Sequence, residues 1–283
     1  MTGVAGRHRT SRDPVSYPDR VTDAPDDDQP PFVGIVVPTM GDRPRFISES
    51  ISSIRAAGQV HIAVVKPKTA DLDGSLVASI DQIVDDPGRG LAAAINSALN
   101  AMPETVRYVS WLGDDDRLAP DSISRIVGEL DRTGASVVYG RCRYIDSEGS
   151  LLWLNRSGRY ASPLMRVGPQ LVPQPGSLMR RVDVEAVGGL DETLRWAFDL
   201  DLLLKLSGRS GLRFIPETVA DFRWHEGSLS VGGRQGSVEE ASRVRRRHLP
   251  ALLRAPSIAW EVPMRALILA AGRILDRRLS SRG

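Results

Sequence analysis

Between residues 32 and 134, short β-branched runs alternate with stretches whose apolar residues recur at helical spacing, and this alternation leaves the chain few folds to choose from. "FVGIVVP" (32–38) reads as a buried strand stopped at Pro38. "RFISESISSIRAAG" (45–58) reads as a helix with Phe46, Ile47, Ile51 and Ile54 at helical spacing and Gly58 as its stop. The order repeats through the strand "VHIAVV" (60–65), the helix "GSLVASI" (74–80), the strand "QIVDD" (82–86), the helix "GLAAAINSALNAM" (90–102) and the strand "VRYVSWL" (106–112). The helix "PDSISRIVGELDRTG" (120–134) closes the series. Such a pattern predicts an α/β sandwich, a mainly parallel sheet between layers of helices. Ligands of open α/β sheets bind beyond the carboxyl ends of the strands, where both 38–42 and 114–116 would lie.

The second half changes character. "SVVYGRCRYIDSEGSLLWL" (136–154) has strand-like runs on either side of "DSEG" and predicts a hairpin. "PGSLMRR" (175–181), a helix start at "RVDVEAVGGLDE", the helix "DLDLLLKLSGRSG" (199–211) and two strands, "LRFIP" and "VADFRWH", complete a second half laid onto the first. The Gly/Ser-rich "EGSLSVGGRQGS" (226–237) predicts a mobile loop suited to a lid. The expected division is a disordered leader over 1–31, a body over 32–236 with halves 32–117 and 118–236, and a helical tail over 237–283.

Charge and cysteine usage narrow the classes. Net charge is only +2, yet from residue 243 onward ten arginines face only Glu261 and Asp276, so the tail carries +8 on an acidic body. Such a tail suits an anionic partner. It lacks interleaved aromatics apart from Trp260, which argues against nucleic acid. On a helical wheel Trp260, Met264, Leu267, Ala271, Ile274 and Leu275 share a face, while Arg265, Arg273, Asp276 and Arg277 lie elsewhere. That helix either docks on its own body or a second subunit, or lies on an anionic membrane surface. The leader has no apolar run fit for a signal peptide, and "VPMRALILAAGRIL" (262–275) is too short and charged to span a bilayer. With the single Cys142, whose expected role is packing, the expected location is the cytoplasm, peripheral on the membrane's inner face if the tail binds lipid.

"WLGDDDRLAPDS" (111–122) stacks Asp114, Asp115 and Asp116 behind a strand. A solvated turn that caps the next helix is the bland reading. The alternative is that something positive sits there: carboxylates bind hard divalent cations, and a departing diphosphate needs one to neutralise its charge. A second acidic segment, "FDLDLLLKL" (198–206), and the polar "FRWHEGSLS" (222–230) add the remaining reactive side chains.

In order and wording these segments resemble the inverting nucleotide-sugar glycosyltransferases of family 2, which have the GT-A fold. "VGIVVPTMGDRPRFISESISSI" is similar to the family's opening strand, turn and helix. "GRGLAAAINSAL" is similar to its "NRGLAAARNAGL" segment, "WLGDDDRLAPDSI" to its "DxD" loop, "AFDLDLLLKL" to its catalytic-base motif, and "FRWHEGSLS" to its "Y-R-x-H-x-G-S-x-S" run. The resemblance covers about Val33 to Arg234. It implies a hexosyl- or deoxyhexosyltransferase that moves a sugar from a nucleoside-diphosphate-sugar donor to a glycan, glycolipid or lipid-linked acceptor, with Mg2+ or Mn2+ as cofactor. It implies Asp199 as the general base, with Asp201 a structural acid of the same helix turn. Asp115 or Asp116 is then the direct metal ligand, with His225 a further ligand or diphosphate contact. Donor contacts fall to Pro38, Thr39, Met40, Asp42 and Arg43, to Asp86, Arg89 and Gly90, and to Asp114, with Ser228 and Ser230 in the closing loop.

Two departures from the family stand out. Gly113 occupies a position where members usually carry another Asp, and Lys66 and Lys68 replace a "DDGS" acid that reads the nucleobase. A lysine cannot accept a hydrogen bond from a base imide, so Asp85 or a backbone carbonyl takes that task or the nucleotide differs from the common uridine. Two other readings compete. A sugar nucleotidyltransferase would need a Gly-rich basic loop after the first strand, and "PTMGDRPR" offers only Gly41. A non-catalytic carbohydrate-binding scaffold would have lost the base or the acidic loop, and both are present.

Overall fold

The computed structural model describes residues 32–224 and 234–280, the side chains of Arg234 and of 271–280 excepted. His225, Ser228 and Ser230 lie outside the described residues, as does the leader over 1–31.

Strand β1 (Val33–Pro38) is buried over its first five residues, as a β-branched run covered on both faces must be. Helix α1 (Pro44–Ala57) starts with Pro44, whose missing N–H costs nothing in the first turn, and buries Ile47, Ile51 and Ile54 at helical spacing. Then follow β2 (His61–Lys66), α2 (Gly74–Val77), β3 (Gln82–Asp85), α3 (Leu91–Ala101) and β4 (Tyr108–Trp111). The short α2 covers only the start of the stretch expected to be helical, because it ends in turns from Ala78 onward. β1 pairs in parallel with both β2 and β4, and β2 with β3, so the alternation in the sequence is the alternation of the fold.

After β5 (Arg117–Leu118) and α4 (Ser122–Thr133), the long β6 (Val137–Ile145) turns back on β7 (Leu151–Leu154) as the expected hairpin. The turn is closed by Asp146, whose Oδ1 accepts from the backbone N–H groups of Glu148 and Ser150. The remaining elements are α5 (Ala161–Leu164), β8 (Ser177–Arg180), α6 (Arg181–Ala186), α7 (Phe198–Ser207) and β9 (Leu212–Arg223). The helices α8 (Arg234–His248), α9 (Ala251–Arg254) and α10 (Ile258–Ser280) follow. β9 is one strand where the sequence suggested two. Pro216 is tolerated because the register against β6 shifts between Phe214 and Thr218, a bulge that spares the missing N–H. Helix α8 begins at Arg234, so the end of the expected lid loop is helical.

Among the described residues the strands form one sheet in the order β3-β2-β1-β4-β8-β6-β9-β5, with β7 beside β6. Its first four strands in that order are parallel, and β8 runs antiparallel to both of its neighbours, which makes the second half mixed. One face carries α3 and α7, with Val36, Trp111, Val137 and Tyr139 beneath them. The other carries α1 and α4 over Ile35, Val37 and Val138. Cys142 is fully buried in that second core, where it packs, and burial pushes its thiol well above the usual range. No helix among the described residues is long and apolar enough to cross a membrane.

Candidate functional site

The acidic triplet sits at the carboxyl rim of the sheet, just past β4. β5 separates it from α4, whose N-cap position is Asp121, so the triplet is no helix cap. Each carboxylate has a different task. Asp114 is buried, and its Oδ2 accepts from the Thr39 hydroxyl at 2.6 Å, which ties the end of β1 to the end of β4. Burial raises its pKa, against the pull of Thr39 and of Arg43. Asp115 accepts from the Arg43 guanidinium at 2.7 Å. Asp116 is buried, its Oδ1 accepts from the backbone N–H of Arg223 at 2.8 Å, and burial together with the nearby Asp115 charge pushes its pKa well up.

Gly113 explains how the loop holds two of these charges together. A Cβ at that position would meet Asp115 Oδ1 at 2.8 Å and Asp116 Oδ2 at 3.0 Å, so both oxygens converge on space that only a glycine leaves open. Two carboxylates brought this close repel when both are ionised. Hard carboxylate oxygens in such a cradle suit a divalent cation, and two of them leave coordination positions for phosphate oxygens and water. Among the described residues no three or more His, Cys, Asp or Glu side chains group so as to hold a metal ion by themselves.

Arg43 supplies a positive partner to the triplet, 2.7 Å from Asp115 and 3.6 Å from Asp114, and Arg223, to which the motifs gave no role, holds the loop's backbone. The Arg223 side chain is fully buried at the end of β9. It donates to the carbonyls of Asp115 (2.8 Å), Asp146 (3.2 Å) and Ser147 (2.7 Å) and to Glu49 Oε2 (2.7 Å). Its guanidinium lies 4.5 Å from the centre of the Phe46 ring. One arginine thus joins α1, the acidic loop and the β6–β7 turn. A polar residue alternating with Phe222 and Trp224 near an acid cluster was the available signal.

Asp199 is the second residue of α7 and is partly buried. Its Oδ1 accepts from the Leu200 N–H at 2.7 Å, and Gln170 reaches Oδ2 at 3.4 Å. Burial raises its pKa to about 6, with these hydrogen bonds opposing. The N-cap position is Ala197, so Asp199 is not a capping residue. It shares the rim with the triplet: Phe198 packs against Trp111 with ring centres 6.3 Å apart, and Gln174, four residues from Gln170, donates to the Trp111 carbonyl at 2.6 Å. Asp201 is structural as expected, buried and paired with Lys205 and His248 at 2.8 Å each. Burial opposes but does not outweigh these partners, which hold its pKa below the usual carboxylate range.

The turn that leads into α7 is held from far along the chain. The buried Glu240 of α8 accepts from the backbone N–H groups of Arg195 (3.2 Å), Trp196 (2.6 Å) and Ala197 (2.7 Å), the residues that lead into Asp199. A carboxylate on a helix N-terminus satisfies orphan donors and meets the positive end of the dipole. Gly236 completes the fit, since a Cβ there would meet the Trp196 ring at 2.6 Å. Helix α8, which begins just after the stretch holding His225, Ser228 and Ser230, therefore fixes the start of the helix that carries Asp199.

The other residues expected to contact the donor are held more loosely. Pro38 ends β1, Met40 is 62% exposed, and Asp42 is an exposed neighbour of Arg43. Asp86 Oδ1 accepts from the Gly88 N–H at 2.8 Å, and Gly90 precedes α3 with φ of 103° and open space beside it. Arg89 points to Glu192 at 2.7 Å. Lys66 turns into its own loop and donates to the Ala70 carbonyl at 2.6 Å, whereas Lys68 pairs with the exposed Asp85 at 3.4 Å.

Solved structures share this architecture. S. aureus TarS in complex with UDP-GlcNAc superposes with a TM-score of 0.61 at 13% identity, covering 80% of this chain and 69% of that one. The mannosyltransferase PcManGT from Pyrobaculum calidifontis, in complex with GDP-Man and Mn2+, gives 0.60 at 19% identity, covering 89% of this chain and 78% of its own. The fold is thus the GT-A type that the sequence suggested. An uncharacterized glycosyltransferase of Rickettsia typhi is 26% identical over 212 residues, 69% of this chain and 65% of the relative. One of Rickettsia prowazekii is 25% identical over 211 residues, 69% of this chain and 64% of the relative. The chain therefore spans just under two thirds of the length of these curated relatives. The model of the family described as "Glycosyl transferase family 2" matches residues 35–186, which run from the first strand through the acidic loop to α6 and make up more than half of the sequence. The chain belongs to glycosyl transferase family 2.

Proposed function

We propose that the protein transfers a hexosyl or deoxyhexosyl group from a nucleoside-diphosphate-sugar donor to a hydroxyl of a glycan, glycolipid or related acceptor, with inversion and with Mg2+ or Mn2+. The observation that carries this reading is the convergence of Asp115 Oδ1 and Asp116 Oδ2 beside Gly113, on the rim that also holds Asp199. The fold shared with proteins bound to UDP-GlcNAc and to GDP-Man with Mn2+ supports it.

Asp115 and Asp116 would hold the cation, with His225 proposed as a further contact, and when bound the cation would neutralise the departing diphosphate. Thr39 fixes Asp114 and Arg43 steadies Asp115, so the loop is set before the donor arrives. Asp199 takes the proton of the acceptor hydroxyl. That oxygen then bonds to the anomeric carbon from the face opposite the diphosphate, the carbon–oxygen bond to the diphosphate breaks, and the nucleoside diphosphate leaves. The exposed backbone around Gly88 and Gly90 at the start of α3 is placed to meet phosphate oxygens.

Calorimetric titration of UDP and GDP checks the donor half of this reading. At least one should bind about tenfold or more tightly with Mn2+ than with EDTA, and Asp115→Ala and Asp116→Ala should each remove that gain. Equal affinity in EDTA and Mn2+ would take the metal out of the mechanism.

A further inference from the structure

The C-terminal helix presents two different faces. Toward the body, Glu261 is buried and accepts from Arg246 at 2.7 Å, Arg265 pairs with Glu239 at 3.1 Å, and Trp260 and Met264 are half-buried. A helical wheel puts Trp260 and Met264 on one face with Leu267, but the structure half-buries the first two and leaves Leu267 exposed. Ala271, Ile274 and Leu275 lie outside the described side chains. On the outer side, Ile258, Val262, Pro263, Ala266, Leu267 and Ala270 are all exposed, and none is polar. Ile258, Val262 and Leu267 are 52%, 58% and 68% exposed, and Leu252 of α9 reaches 89%.

Arginines accompany this face. Arg243, Arg246, Arg247 and Arg254 line one depression beside the first turn of α10, where Arg246 pairs with the inward Glu261, Arg247 with Asp191 at 3.3 Å and Arg243 with Glu240 at 3.9 Å, while Arg254 donates to the Leu249 and Arg247 carbonyls. From Arg243 to Ala270 the chain has one carboxylate, Glu261, and it is 2% exposed. The stretch from Arg243 to Ala270 is therefore apolar and net basic on its outer surface, and the exposed acid beside it, Glu239, is taken up by Arg265.

We propose that this surface seats the protein on an anionic lipid bilayer, with the outer side of α10 and Leu252 at the headgroup boundary and the four arginines against lipid phosphates. An apolar helix face beside basic residues is what an interfacial helix requires. A second copy of the chain fits worse, because symmetric pairing would bring two net-basic surfaces together. The helix lies on the bilayer and does not cross it. The inference does not depend on the sugar-transfer reading, and its test uses no catalytic readout.

The full chain is sedimented with vesicles of phosphatidylcholine alone and of phosphatidylcholine with phosphatidylglycerol, over a series of salt concentrations. It should pellet with the anionic vesicles and come off as salt rises, since such attraction is screened. Arg254→Gln should weaken partitioning about fivefold, the share of one basic residue at such a surface. Val262→Asp with Leu267→Asp should abolish it while thermal unfolding of the protein stays unchanged, because both positions are exposed. Equal pelleting with neutral and anionic vesicles, or undiminished pelleting of the aspartate variant, overturns the proposal. So does a doubled mass in light scattering that Leu267→Asp removes, which would give the face to a second copy.

Discussion

Asp199→Asn is expected to lower kcat by about 10²-fold or more while leaving affinity for the nucleoside diphosphate unchanged. The substitution keeps the shape of the side chain and its contact with the Leu200 N–H but removes the proton acceptor. The pH dependence carries a second signature of the same group. Burial raises the Asp199 pKa to about 6, so the ionised, base-competent form grows as pH rises through about 6. The wild-type rate should climb through that range and level off above it. The raised value also means that the protonated form favours folding: this contribution is full below the ordinary carboxylate pKa and is lost as pH rises through about 6. In the Asn variant the residual rate should lose this acid limb. An Asn variant that keeps more than about a tenth of the wild-type kcat would fall short of what a general base supplies and would exclude Asp199 from the role.

Arg223→Met should unfold the protein more readily than any substitution at the rim itself. The buried guanidinium satisfies three carbonyls and the Glu49 carboxylate, and methionine leaves them facing an apolar side chain. Removing one partner of a buried ion pair typically costs about 3–5 kcal/mol. At about 2–4 °C per kcal/mol for a protein of this size, thermal unfolding should move down by roughly 6–20 °C. Arg223→Lys should not restore it, because one ammonium cannot reach acceptors spread over α1, the acidic loop and the β6–β7 turn. A shift of less than about 2 °C in Arg223→Met would mean that these acceptors find water, and that the arginine does not hold the loop.

The parts of the fold that were legible in the sequence are those written in local pattern. Ile47, Ile51 and Ile54 declare α1, the β-branched run 33–38 declares a central strand, and "DSEG" declares the β6–β7 turn, each within one or two turns of chain. The bulge at Pro216 was not legible, since a proline in a strand-like run reads as a break unless the partner strand is known. The same limit applied at the site. Asp114, Asp115, Asp116 and Asp199 could be named from residue type and order. Their partners could not, because Arg223 meets Asp116 across 107 residues and Glu240 meets Ala197 across 43. Nothing in a linear sequence shows that Glu240 holds the turn that leads into a helix begun before it, or that Gly113 keeps open the space on which two carboxylates converge.

The most direct test of the account is the anomeric configuration of the product. The nucleotide that binds in calorimetry identifies the donor series, and its α-linked hexose donors are incubated with the protein and Mn2+, with water as the acceptor of last resort. Proton NMR taken before the sugar mutarotates then reads the new bond. A base at Asp199 acting opposite the leaving diphosphate requires the β anomer, formed at a rate that Asp199→Asn suppresses. An α-configured product, or β product made equally fast by the Asn variant, would contradict a single displacement with Asp199 as its base.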